Sequence, residues 1–208
     1  MNINWGDLNI LNFILATIVA LFLWVLDKQK KPNLKVEIGE PSNLELPQGK
    51  YKSLNLMVKN ERKTGLFSFF NQTVTQTRVT LIFKDFDSKV ELFRLVARWN
   101  TTREPLTPDY SKVDPGLTLT NPREVITPGE ELSLPVAIKK DKSKSFHPFN
   151  NESYRYLPNF AKPEWKISSD KVLVTVKIQS AEIESEGFSF VILNKSGLTQ
   201  FSISNYND

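Results

Sequence analysis

The chain has 208 residues, 40% of them hydrophobic and 24% charged, with a net charge of +4 at pH 7, which suits one globular domain of ordinary size with a sizeable core. It has no cysteine and one histidine, His147. That excludes disulfide scaffolds, thiolate zinc sites and cysteine nucleophiles, and it leaves histidine metal sets and Ser/His catalysis with almost no material.

The first element is an apolar helix. No charged residue lies between Leu8 and Leu26, and nineteen residues at about 1.5 Å each span roughly 28 Å, close to the hydrocarbon core of a bilayer. Trp5 and Trp24 stand near its ends, as rings anchored at a membrane interface do. The expectation is an N-terminal transmembrane helix over residues 1–26 with its short leader, retained in the mature protein because no basic leader or small-residue cleavage site accompanies it. Asn12, Ala16 and Ala20 recur every four residues, a spacing that lets two helices approach closely and marks a candidate self-association face.

Residues 27–33 read as a short basic tether. Lys28, Lys30, Lys31 and Lys35 follow the apolar run and no Lys or Arg precedes it, so the positive flank predicts a cytoplasmic domain. The alternative is an extracytoplasmic domain. Four N-glycosylation triplets, at Asn71, Asn100, Asn151 and Asn194, do not decide between the two, since a chain rich in Asn, Ser and Thr generates such triplets by chance.

From residue 34 to 208 the apolar period is two, the signature of half-buried strands. Leu34, Val36 and Ile38 alternate with charges, as do Leu54, Leu56 and Val58. Val79, Leu81 and Phe83 precede a turn at Asp85 to Lys89 and a second run from Leu92 to Trp99, which together predict a hairpin. Leu132, Leu134, Val136 and Ile138 form a further alternating set, with Pro135 facing away from it and placing that strand at a sheet edge. Val172 to Ile178, Phe188 to Leu193, and Phe201 with Ile203 complete the list. Seven or eight strands without crossover helices predict an all-β domain, an Ig-like or fibronectin-like antiparallel β-sandwich.

Three segments are candidate contact surfaces. Arg62 and Lys63 precede Phe67, Phe69 and Phe70, a turn whose apolar tip could enter a lipid headgroup region beside the tether; otherwise these phenylalanines begin a strand. Residues 140–170 hold Phe146, Phe149, Tyr154, Tyr156 and Trp165, rings that either meet a protein partner or close the core. Lys139, Lys140, Lys142 and Lys144 read as a solvated loop or one near anionic lipid; the modest net charge and the lack of a recognition signature disfavour nucleic acid. Glu182, Glu184 and Glu186 read as a solvated face, without calcium-loop spacing.

No cofactor, metal or small-molecule substrate is expected. The sequence predicts a non-enzymatic, single-pass membrane protein whose domain serves as a protein-interaction or scaffold module, with lipid and a protein partner or its own copies as contacts. The alternative is an outward-facing envelope or adhesion module that binds glycan or matrix.

Overall fold

The computed structural model describes residues 5–107 and 112–206, with the side chains of 5–9, 11, 28, 29, 66 and 67 left out. Helix α1 (Trp5–Lys30) comes first. Among the described residues no helix is long and apolar enough to cross a membrane.

Three residues after α1 the chain enters β1 (Leu34–Ile38), followed by β2 (Ser42–Leu46), β3 (Gly49–Asn60), β4 (Val74–Asp85), β5 (Glu91–Val96) and a four-residue helix, α2 (Pro115–Thr118). Then come β6 (Glu124–Ile126), β7 (Glu131–Lys140), β8 (His147–Pro148), β9 (Lys171–Gln179), β10 (Glu186–Asn194) and β11 (Phe201–Asn205). The strands form two antiparallel sheets in a β-sandwich-like architecture. One runs β1-β3-β7-β8, with β2 also on β3; the other runs β11-β10-β9-β4-β5, with β6 on β4.

The alternating residues make the core between them. Leu54, Leu56 and Val58 of β3 and Leu132, Leu134 and Val136 of β7 meet Val79, Leu81 and Phe83 of β4 and Val172, Val174, Val176 and Ile178 of β9. Trp99, just past β5, is the largest fully buried side chain. The predicted hairpin is β4-β5, and Asp85 shapes its turn by accepting hydrogen bonds from the Ser88 amide and hydroxyl at 2.9 and 2.8 Å. Those bonds hold its carboxyl below the ordinary range.

One alternating set divides where a strict period of two would keep it together. Leu54 pairs with Ala137 but Asn55 pairs with Pro135, so β7 carries an extra residue there. A bulge of this kind flips the inside–outside order of everything beyond it. Ile138 therefore leaves the main core for a second apolar cluster with Tyr51, while Lys139 turns inward and is 1% exposed. Pro135 sits at the bulge, where its missing amide costs no ladder bond. It also lies along the less covered side of β7, because β8 reaches only Ala137 and Ile138.

Candidate functional site

The end of the sandwich nearest α1 holds one of the contact surfaces that the sequence singles out, the Arg62–Phe70 tip, together with the basic link. Lys31, Pro32 and Asn33 link α1 to β1, and each flank of this link is tied to the domain. Asn33 accepts from the Glu61 amide at 2.8 Å and donates its own Nδ2 to Glu61 Oε2 at 3.0 Å. Lys63 Nζ donates to the Lys31 carbonyl at 2.6 Å. Lys30 and Lys31 are exposed. Lys35 lies on β1 beside Glu37 at 2.6 Å and Glu61 at 3.6 Å, an exposed pair that contributes little to stability.

Asn71 closes the adjoining loop. Its Oδ1 accepts from the Lys63 amide at 2.7 Å, and its Nδ2 donates to the Lys63 and Ser68 carbonyls. Between these anchors, Gly65–Phe70 makes two turns of 3-10 helix instead of a strand start. Phe69 is 78% exposed at the tip and meets Phe70 edge to face, with centroids 6.1 Å apart. At the end of β3 an open concavity of about 640 Å³ is lined by Lys59, Glu61, Arg62 and Gly129. Gly129 (φ +86°) closes one wall, and a Cβ there would come within 2.5 Å of Arg62 Nε. An exposed ring on the loop that follows Arg62 and Lys63 is chemically suited to an apolar–anionic boundary. The side chains of Trp5, Leu8, Lys28 and Phe67 lie outside the described residues.

On α1 itself, Asn12, Ala16 and Ala20 are exposed along one face. Leu26, at the end of the apolar run, is half-buried, and Trp24 is 57% exposed.

The aromatic loop does not form an open contact surface. Phe146, Phe149, Tyr154 and Trp165 are all buried, and Tyr156 is half-buried. Phe149, Tyr154 and Phe160 pack mutually at 5.4–5.6 Å between centroids, with Tyr51 edge-on to Phe160. They build the second cluster on the face of β3 and β7 turned away from the main core. Phe146 meets Phe201, and Trp165 stacks on Phe93. The physical reason is coverage: β2 and β8 are short, so the outer face of the first sheet would stay wet without a folded-back loop. Arg98, 3% exposed, is held there by Asn151 Oδ1 at 2.8 Å and the Thr102 carbonyl at 2.9 Å, under the Tyr154 ring.

Two of the four glycosylation triplets have internal asparagines: Asn151 and Asn194 are each 3% exposed and hydrogen-bonded, whereas Asn100 is exposed. His147 is half-buried, and burial together with the Lys166 charge lowers its pKa. Among the described residues no three His, Asp or Glu groups converge as metal ligands. No family model, no curated protein and no solved structure matches the chain.

Glu182 is structural. Its carboxylate accepts from the Thr75 amide at 2.8 Å and hydroxyl at 2.6 Å, fastening the β9–β10 connection to β4. Burial alone would raise its pKa, but the Thr75 and Ser180 hydrogen bonds hold it below 4.5. A depressed folded value means that the stabilisation is present above the ordinary value and lost as pH falls through the depressed one. Glu182→Ala is expected to cost about 1 kcal/mol at pH 7. In urea denaturation across pH, that difference from the parent chain should shrink toward zero as pH falls through the depressed folded value.

Proposed function

We propose that α1 is a membrane-spanning anchor and that the sandwich it carries is a non-enzymatic protein-interaction or scaffold module held against the bilayer. The observation that carries this reading is the all-round apolar exposure of α1. Phe13, Ile14 and Leu15 are 74%, 49% and 59% exposed, and consecutive helical residues point about 100° apart, so these three alone circle the axis. Ile18, Leu21, Phe22 and Leu23 continue the pattern at 57–60%. A helix that is apolar all round needs an apolar surround, and the uncharged run from Leu8 to Leu26 has the length that a bilayer asks for.

Three features support the arrangement at the surface. The three-residue link and its hydrogen bonds leave the domain no room to swing away. Lys30, Lys31, Arg62 and Lys63 are the cations available to lipid phosphates on this reading, and the 78% exposed Phe69 ring is the apolar group available to the headgroup region. The charge asymmetry around the helix favours a cytoplasmic domain. On the same reading the sandwich is Ig-like or fibronectin-like in architecture, supported by two antiparallel sheets over one core, and the Asn12, Ala16 and Ala20 face is where two anchors would pair.

The test uses the full chain expressed in cells. It is expected to stay with the membrane fraction through alkaline carbonate extraction. Ile18→Arg combined with Leu21→Arg, at roughly 2.5–3.5 kcal/mol per arginine in the helix centre, is expected to move it to the soluble fraction. Extraction of the parent chain by carbonate would overturn the anchor. Thr199→Cys, an exposed site in a chain without cysteine, is expected to resist an impermeant thiol reagent in intact cells. Strong labelling would favour the outward-facing envelope or adhesion module.

A further inference from the structure

At the end of the sandwich opposite α1, the inward turn of Lys139 creates a second site. A cavity of about 410 Å³ lies between the β7–β8 loop, the segment before β9 and the β10–β11 turn. Lys139, Lys142, Lys144 and Lys195 line it, against one carboxylate, Asp170. The Lys139 ammonium donates to Asn194 Oδ1 at 2.8 Å and to the Lys195 carbonyl at 2.7 Å. Both acceptors are neutral, and among the described residues no carboxylate pairs with it. Its cross-strand neighbour is another lysine, Lys52, whose Nζ donates to the Leu198 carbonyl of the same turn at 3.0 Å. Like charges directly opposite one another destabilise a sheet, and a buried cation held only by neutral oxygens is costly.

We propose that this cavity binds a soluble phosphate-bearing ligand, whose negative charge compensates the buried Lys139 ammonium while Lys144 and Lys195 close over it from the rim. Lysines act as converging point charges. That suits a tetrahedral, multiply charged oxyanion better than a planar carboxylate, for which an arginine fork is the usual partner. The Ser168 and Ser196 hydroxyls on the wall supply further donors. Burial already pushes the Lys139 pKa down, so a bound anion would also restore its proton affinity.

Lys144 and Lys195 contribute to the fold through their carbonyls, which accept from Asn194 Nδ2 and Lys139 Nζ, so Lys144→Ala with Lys195→Ala removes two charges without touching those bonds. Inorganic pyrophosphate titrated calorimetrically into the full chain in neutral detergent micelles is expected to bind. The double variant should keep the parent denaturation midpoint and bind about tenfold or more weakly. Lys139→Met, which keeps the stem and deletes the charge, should abolish binding, and Lys59→Ala at the other end of the domain should leave it unchanged. No binding up to about 10 mM, or equal weakening by Lys59→Ala and the rim variant, would overturn the site. Phosphatidic acid added to the micelles is expected not to displace pyrophosphate; displacement would place the anion in lipid and overturn the assignment to a soluble ligand.

Discussion

Asn194→Ala is expected to cost the domain about 3–5 kcal/mol, a large fraction of the 5–15 kcal/mol that holds a typical domain together. The side chain performs three tasks at once from a position only 3% exposed. Its Oδ1 holds the Lys139 ammonium, and its Nδ2 donates to the Lys144 and Ser169 carbonyls, fixing the two segments that flank the lysine cavity. Truncation leaves the interior cation with the Lys195 carbonyl as its remaining acceptor and strands two carbonyls, and the lost hydrogen bond to a charged group accounts for about 1.5–3 kcal/mol of the cost. Lys139→Met is expected to cost less, because it deletes the charge along with the bond and leaves an apolar stem against Phe201. Urea denaturation of the full chain in micelles measures both. If Asn194→Ala lost no more than Lys139→Met, the ammonium would not be the group that makes Asn194 costly to remove.

Trp99→Ala is the second large effect, also about 3–5 kcal/mol, from a different cause. Trp99 is wholly buried in the main cluster, yet its Nε1 has no acceptor. Its contribution is therefore packing alone, and the indole N–H is a liability carried along with it. Trp99→Phe, which discards the unpaired N–H and keeps part of the volume, should retain most of the stability, at a cost of about 1–2 kcal/mol. A Trp99→Phe variant as unstable as Trp99→Ala would show that the N–H has a partner after all.

The strands of the main core were legible because their inward residues alternate without interruption: Val172, Val174, Val176 and Ile178 read the same in the sequence and in β9. The break in β7 was not legible from alternation, since Leu132 to Ile138 continues a perfect pattern straight through the bulge. Pro135 was the available signal, because a proline inside a strand points to a bulge as well as to an edge. Missing the bulge meant reading Lys139 as solvated when it faces inward. The aromatic loop illustrates a different limit. Composition shows that Phe149 and Tyr154 must bury surface somewhere, but a partner and the chain's own outer sheet face satisfy that demand equally. The β2 strand, whose Ser42–Leu46 segment pairs with β3, was too short and polar to stand out from its surroundings. The Gly65–Phe70 turn carries an apolar run that a strand start would also carry, and it was the Asn71 hydrogen bonds, invisible to periodicity, that chose between them.

The twelve-residue length of β3 has an electrostatic consequence. Its last residue, Asn60, pairs with Leu34 beside the helix link, and Lys52, eight residues earlier, pairs with Lys139 at the lysine cavity. At about 3.3 Å per residue the cavity and the start of the domain lie roughly 26 Å apart along β3. Counterions screen a charged bilayer surface over a Debye length of only about 8 Å at physiological ionic strength. With α1 in the membrane and β3 directed away from it, the strand would act as a standoff of about three such lengths. On the proposed reading, anionic lipids would neither fill the cavity nor repel a soluble phosphate approaching it, and the two ends of the domain would respond to different ligands independently.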